Sequence, residues 1–240
     1  MRKSIEKNLK EPVIDVIIPA YNEEESIGLV LQDMPWKLVR EVIVCNNASS
    51  DNTAAVARTN GATVVDQPRP GYGSACLKGM AHIAQKDQNN QPDIVVFLDG
   101  DYSDYPQEMA ALVRPIIEDE IDLVIGSRAL GQMERGAMQP QQIFGNWLAT
   151  TLIKFFYNYH FTDLGPFRAI KYKKLLELEM ADPDFGWTVE MQVKAAKQKF
   201  QCKEVPVRYR RRVGISKVSG TIRGTILAGH KILWTIFKLL

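Results

Sequence analysis

Asp99 and Asp101 stand two residues apart with only Gly100 between them. In an extended chain, residues i and i+2 point to the same side, so the two carboxylates converge. Like charges brought together repel unless they share a cation. Mg²⁺ or Mn²⁺ suits such a pair, because it takes few protein oxygens and leaves its other positions to substrate phosphates. Gly100 leaves room for a ligand to approach the backbone. The competing reading is a polar turn that closes a strand.

Other groups could serve an anionic ligand. The amides of Asn46 and Asn47, followed by Asp51, can read the edge of a nucleobase or build turns and caps. Gly71-Tyr72-Gly73-Ser74 leads into a helical stretch, where free backbone N–H groups can face a phosphate and Lys78 can assist; a plain turn fits equally. Arg128 can neutralise a departing diphosphate, or make an ordinary surface ion pair. Asp163 and Glu190 are candidate general bases for a hydroxyl acceptor; an anionic phosphate acceptor needs none. Both also have plain readings, as a turn residue and a helix-face charge. His82, His160 and His230 are far apart and have no ligand spacing.

The elements that must position these residues alternate. Apolar, β-branched runs at 13–18, 41–45, 62–65, 94–98 and 123–125 predict strands. Helical stretches follow at 23–33, 50–59, 73–86 and 107–119. That alternation predicts βαβ units in a doubly wound, mostly parallel sheet flanked by helices, with ligands at the C-terminal strand ends. Ala20–Glu23, Asn46-Asn47, Asp99–Asp101 and Gly126–Arg128 all fall at such ends. Beyond residue 130 the pattern predicts helices at 141–159 and 187–199, strands at 167–170 and 202–209, and a last helix at 219–238.

The chain has 240 residues, 45% hydrophobic and 24% charged, and lacks any linker-like stretch, which predicts one globular domain. Three widely spaced cysteines give neither a zinc pattern nor a disulfide framework and fit a reducing compartment. The first twelve residues have no apolar core, so no signal peptide is expected, and no run is long enough for a spanning helix. Eight of the 30 Lys/Arg and none of the 28 Asp/Glu lie from Val205 to Leu240, so that tail carries +8 and the rest −6. Such a tail calls for an anionic partner. In the last helix, Ile222, Ile226, Leu233, Ile236, Phe237 and Leu240 share one broad face and Arg223, Lys231 and Lys238 another, as in an interfacial amphipathic helix. A helix packed on the body is the alternative. Nucleic acid is not expected, since no reader motif accompanies the basic tail.

Seven ordered segments resemble the family 2 glycosyltransferases, in the branch of dolichyl- and polyprenyl-phosphate sugar synthases. They are VIIPAYNEEESI (16–27), VIVCNNASSDNT (42–53), GYGSACLKG (71–79), VVFLDGDYSDYP (95–106), VIGSR (124–128), DLGPFRAI (163–170) and VPVRYRRRVGISKVSG (205–220). The resemblance implies a GT-A fold in residues 1–204, with a nucleotide-sugar half at about 12–130 and an acceptor half at about 131–204. Residues 205–240 would form a basic strand and interfacial helix. It implies that Pro19, Ala20, Tyr21 and Glu23 surround the nucleoside, and that Asn47 lies beside the base. Asp99 and Asp101 would hold donor and metal; Arg128, Arg211, Arg212 and Lys217 would bind phosphate. The expected reaction is a single inverting displacement from a UDP- or GDP-sugar onto a lipid phosphate, at the inner, cytoplasmic face of an anionic membrane. The sequence departs from the pattern twice: amides stand at 46 and 47 where acids are common, and Tyr102-Ser103-Asp104-Tyr105 follows the acidic pair. A soluble enzyme with a hydroxyl acceptor and a non-catalytic nucleotide-sugar-binding scaffold are the rival readings.

Overall fold

A computed structural model describes residues 11–214 and 222–240. Seven strands form one sheet: β1 (Ile14–Ala20), β2 (Glu41–Asn46), β3 (Thr63–Asp66), β4 (Ile94–Phe97), β5 (Leu123–Ser127), β6 (Arg168–Lys171) and β7 (Cys202–Pro206). Their order is β3-β2-β1-β4-β6-β5-β7. β1, β2, β3 and β4 pair in parallel, as do β5 and β7; β6 runs antiparallel between β4 and β5. The strand order therefore turns outward from β1 in both directions. The crevice over the C-terminal ends of β1 and β4 lies at that switch point.

The period-2 alternation of the strands divides the core into two layers. Ile17, Ile43, Val95 and Phe97 face one side, packed with residues of α3 (Tyr72–Ala84), α5 (Pro140–Tyr157), α6 (Tyr172–Glu177), α7 (Trp187–Lys197) and α8 (Ile222–Lys238). Val16, Ile18, Val42, Val44 and Val96 face the other, under α1 (Ile27–Gln32), α2 (Thr53–Thr59) and α4 (Met109–Glu118). Phe97 and Trp187 are fully buried with ring centroids 4.6 Å apart. Truncating either to Ala would cost about 3–5 kcal/mol. Asp15 in β1 is buried because Arg40 and Lys86 both pair with it, at 2.5 and 2.6 Å.

The structure differs from expectation at three places. The first helix starts at Ile27, not Glu23. Asn22 is left-handed (φ 53°) and the Thr53 hydroxyl accepts the Glu23 N–H, so the chain turns tightly before it can coil. The last strand ends at Pro206 because its partner β5 ends at Ser127; residues 207–213 leave the sheet as a strap over its C-terminal edge. The short α6 was not expected; six residues are too few to show a helical period. Residues 215–221, including Lys217, lie outside the described residues, as do the side chains of 222–226 and 228, so the predicted two-faced character of α8 is described only for Leu227 and from Gly229 onward.

Candidate active site

A cleft of about 510 Å³ opens at the switch point. Asp99 and Asp101 form its floor, Arg128, Tyr209, Arg211 and Arg212 one wall, and α5 with Gly229 and Ile232 of α8 the other. β4 ends at Phe97, and Asp99 and Asp101 follow two and four residues later, so the strand end places both carboxylates. Each has one oxygen already engaged. Asp99 Oδ1 accepts the Tyr72 hydroxyl at 3.0 Å. Asp101 Oδ1 accepts the Ser103 N–H and hydroxyl at 3.0 and 2.5 Å. Those bonds set the orientation of the remaining oxygens. Burial, then the neighbouring Asp101 charge, push the Asp99 carboxyl up to about 7, against the Tyr72 hydrogen bond.

The mutual repulsion of these two neighbouring carboxylates is what a divalent cation would relieve. Among the described residues no set of three or more His, Cys, Asp and Glu could hold an ion. Two carboxylates that leave most positions to phosphate oxygens therefore fit a hard cation bound together with its diphosphate. Gly100 is not an opening for ligand: a Cβ there would meet the Pro19 carbonyl oxygen at 3.3 Å and Ala20 Cβ at 3.4 Å, so the end of β1 fills the space.

Arg128 and Asp163 meet as a pair. The Arg128 N–H and Nε donate to Asp163 Oδ2 at 2.7 and 2.8 Å, and Nη2 donates to Oδ1 at 2.6 Å. Burial works against the Arg128 charge, but Asp163 more than offsets it and raises the guanidinium pKa further. The expectation that Asp163 acts as a base is thereby corrected: its carboxylate is buried and spent on Arg128. Glu190 is corrected likewise. Its carboxylate accepts the N–H groups of Ala181 and Asp182 at 2.8–3.1 Å and pairs with Lys194 at 2.8 Å, outside the cleft lining.

The turn before α3 is also not an anion site. Gly71 N–H donates to Asn47 Oδ1 at 2.9 Å, and Ser74 N–H to the Pro183 carbonyl at 2.7 Å. Gly71 (φ 141°) and Gly73 are glycines because a Cβ would fall 2.3 Å from Pro183 O and 2.0 Å from Asp182 O. Lys78 is exposed and does not line the cleft. Asn47 is buried; its Nδ2 donates to the Arg69 and Gln67 carbonyls at 2.8 and 3.4 Å, so it clamps the 67–71 loop rather than offering an amide to a base. Asn46 Nδ2 donates to Asp66 at 2.8 Å, while its Oδ1 is buried without a hydrogen-bond partner. Asp51 stands one residue before the N-cap, Asn52; it accepts Thr53 N–H and hydroxyl and the Glu24 N–H, and so ties the turn after β1 to the start of α2. Pro19 and Ala20 end β1 opposite Cys45 and Asn46, and Tyr21 beyond them is 45% exposed; none of the three lines the cleft.

The strap supplies cations. Arg211 donates from Nε and Nη2 to the Arg135 carbonyl at 2.9 and 2.7 Å and borders the cleft. Arg212 bridges Glu23 and Asp101. Several site residues carried no sequence signal as single positions. Tyr72 and Ser103 lie inside quoted motifs, but their targets are set by the fold. Asp104 is buried, its carboxylate oxygens without hydrogen-bond partners among the described residues; burial, then Asp99 and Asp101, hold its pKa well above the usual range. Gln139, Gln142 and Asn146 line the α5 wall.

Comparison with known proteins is consistent over nearly the whole chain. The sequence model of Glycosyl transferase family 2 matches residues 15–178. A protein of Mycobacterium tuberculosis named as an uncharacterized glycosyltransferase is 34% identical over 218 residues, covering 90% of this chain and 94% of that one. A dolichyl-phosphate hexose transferase of Haloferax volcanii is 31% identical over 207 residues, covering 85% of each. Among solved structures, glucosyl-3-phosphoglycerate synthase of M. tuberculosis, with Mn²⁺, UDP and phosphoglyceric acid, superposes with a TM-score of 0.75 at 22% identity. The match covers 95% of this chain and 78% of that one.

Proposed function

Because the chain belongs to glycosyl transferase family 2 and has the GT-A fold, we propose that it moves a sugar from a UDP- or GDP-sugar onto a polyprenyl phosphate, with inversion at the anomeric carbon. One observation carries the choice of acceptor. Among the described residues the only carboxylates that line the cleft are Asp99 and Asp101, and Asp163 and Glu190 are both committed elsewhere. Asp104 is unpartnered but buried and outside the cleft lining, so among the described residues a hydroxyl acceptor would meet no carboxylate in the cleft other than the pair itself. A phosphate oxygen is already a nucleophile, and Arg128, Arg211 and Arg212 match its charge.

In this reading Asp99 and Asp101 would hold Mg²⁺ or Mn²⁺, which when bound would offset the negative charge of the leaving diphosphate. Arg128, kept charged and oriented by Asp163, faces the same developing charge. An acceptor phosphate oxygen attacks the anomeric carbon, the bond to the diphosphate oxygen breaks, and the electron pair leaves with the nucleoside diphosphate. No proton is transferred. Asn46 would lie on the side of the base, with Pro19, Ala20, Tyr21 and Glu23 around the nucleoside. The relative that bears the name dolichyl-phosphate hexose transferase supports the lipid-phosphate class.

The surface beside the cleft supports a membrane-facing acceptor. Phe144, Trp147 and Phe155 of α5 are 60%, 57% and 79% exposed, and Trp234 and Phe237 of α8 are 56% and 49% exposed. Phe156 and Phe237 join the two helices, with ring centroids 5.5 Å apart. Neither helix contains an acidic residue. Among the described residues no helix is long and apolar enough to cross a membrane. In this reading the exposed aromatic side chains and the lysines of the two helices hold the chain on the inner, cytoplasmic face. Each basic group near an anionic leaflet contributes about 1 kcal/mol.

The test is a transfer assay with UDP- and GDP-sugars and Mn²⁺ or Mg²⁺, offering polyprenyl phosphate, free polyprenol, 3-phosphoglycerate and simple glycans. Product on polyprenyl phosphate alone supports the reading. Product only on a hydroxyl acceptor overturns it.

A further inference from the structure

The strap places an arginine where a metal ion is needed. Main-chain bonds fix its path: Arg210 N–H to Ser103 O and Val213 N–H to Asp101 O, each at 3.0 Å. The Arg210 guanidinium lies 3.3 and 4.1 Å from the ring centroids of Tyr102 and Tyr105 and locks the strap to the segment after the acidic pair. Between these anchors the side chain of Arg212 spans two loops. Nη2 donates to Glu23 Oε1 at 2.6 Å, beyond β1, and Nη1 lies 3.2 Å from Asp101 Oδ2, beyond β4.

Asp101 Oδ2 is the oxygen that Ser103 leaves open, and it is the one Arg212 covers. The guanidinium is held less completely than its neighbours: its Nε is buried without a hydrogen-bond partner among the described residues. It also lines the cleft between the acidic pair and Arg211. A divalent ion that approaches Asp101 must therefore displace a cation already in place. A guanidinium so displaced is well suited to a diphosphate, to which it can donate in a planar fork.

We propose that Arg212 is a placeholder cation: it neutralises Asp101 until metal and nucleoside diphosphate arrive together, then turns to the diphosphate. This rests on the donor reading above. It makes metal and nucleotide binding reciprocally favourable. Metal alone competes with Arg212 for Asp101 Oδ2. Metal with diphosphate does not, because the arginine gains a new anionic partner. Arg212 is thus a positioning residue for the carboxylate before the donor binds.

The experiment titrates Mn²⁺ into the full-length protein and follows the free ion by electron paramagnetic resonance, with and without UDP or GDP. In the wild type one nucleotide should tighten Mn²⁺ at least about tenfold, within the range of ordinary coupling. Arg212→Gln should bind Mn²⁺ alone several-fold more tightly than wild type, and the nucleotide should then add less. Arg212→Lys, whose point charge cannot span Glu23 and Asp101 at once, should shift in the same direction by less, and it guards against misfolding of the glutamine variant. If neither variant tightens Mn²⁺ alone while a nucleotide still does so in the wild type, the placeholder role is overturned and the donor reading stands. If no nucleotide tightens Mn²⁺ in the wild type, the donor reading itself fails, and this inference with it.

Discussion

Arg128 saturates Asp163: three N–H groups of one residue converge on one carboxylate at 2.6–2.8 Å. A saturated carboxylate orients its partner and cannot also take a proton from an acceptor. Asp163→Asn should therefore act through Arg128. Leaving a buried charge uncompensated costs about 3–5 kcal/mol, so the melting temperature should drop sharply. Transfer by the folded remainder should fall with no change in the shape of its pH profile. Glu190→Gln gives the contrast: its bonds hold the turn before α7, so stability should drop while kcat stays within about threefold of wild type, since no transition-state contact is lost. A folded Glu190→Gln enzyme without activity would restore Glu190 as the base.

Asp99→Asn and Asp101→Asn should each lower kcat at least about a hundredfold, or ~2.7 kcal/mol of barrier, if the pair holds the metal. They should not unfold the protein. Asp99→Asn removes one of two neighbouring like charges, so without metal its melting temperature should equal or exceed that of wild type. Calorimetry with and without Mn²⁺ checks both halves, and the metal-induced rise should vanish in the variants.

Asn47→Ala removes a clamp on three backbone groups at Gln67, Arg69 and Gly71. These groups are part-buried, so leaving them unpaired should cost about 1 kcal/mol, the lower end of the range for a lost hydrogen-bond partner. Hydrogen exchange should speed up at the Gly71 amide and in the 67–71 loop before it does in β2. An unchanged exchange rate at Gly71 would refute the clamp.

Acid stability should depend on Glu41. Burial raises its pKa, but hydrogen bonds from Lys86 and Thr63, with the Lys86 charge, outweigh this and hold it below the ordinary 4.5. A group with a depressed folded pKa stabilises the protein above its unfolded pKa, and that stability is lost as pH falls through the folded value. Urea midpoints should therefore decline below about pH 4.5 in the wild type and decline less in Glu41→Gln.

Where chemistry depends on local spacing, the sequence was a good guide. Strands showed as short apolar runs, and Asp99 with Asp101 showed as a strand-end pair, because both follow from backbone geometry over a few residues. Partnerships were not legible. Whether Asp163 faces an acceptor or an arginine depends on residue 128, brought near only by the sheet. A glycine signals that space is needed but not what fills it; at 71 and 73 the occupant is backbone, and at 100 it is the backbone and side chains at the end of β1. Strand direction was hidden too: nothing in Phe167–Ile170 marks β6 as antiparallel.

The close fit of Gly71 and Gly73 against Pro183 and Asp182 has a consequence for redesign. Even one added methyl at either glycine would collide with backbone, so the seam between the α3 turn and the loop before α7 is closed to variation. New acceptor preferences would have to come from the opposite wall. There Gln141 is exposed at the cleft and Gly145 has no atom within 4 Å of an added Cβ, so a library that varies those two positions could change what the enzyme glycosylates without touching the machinery that holds its donor.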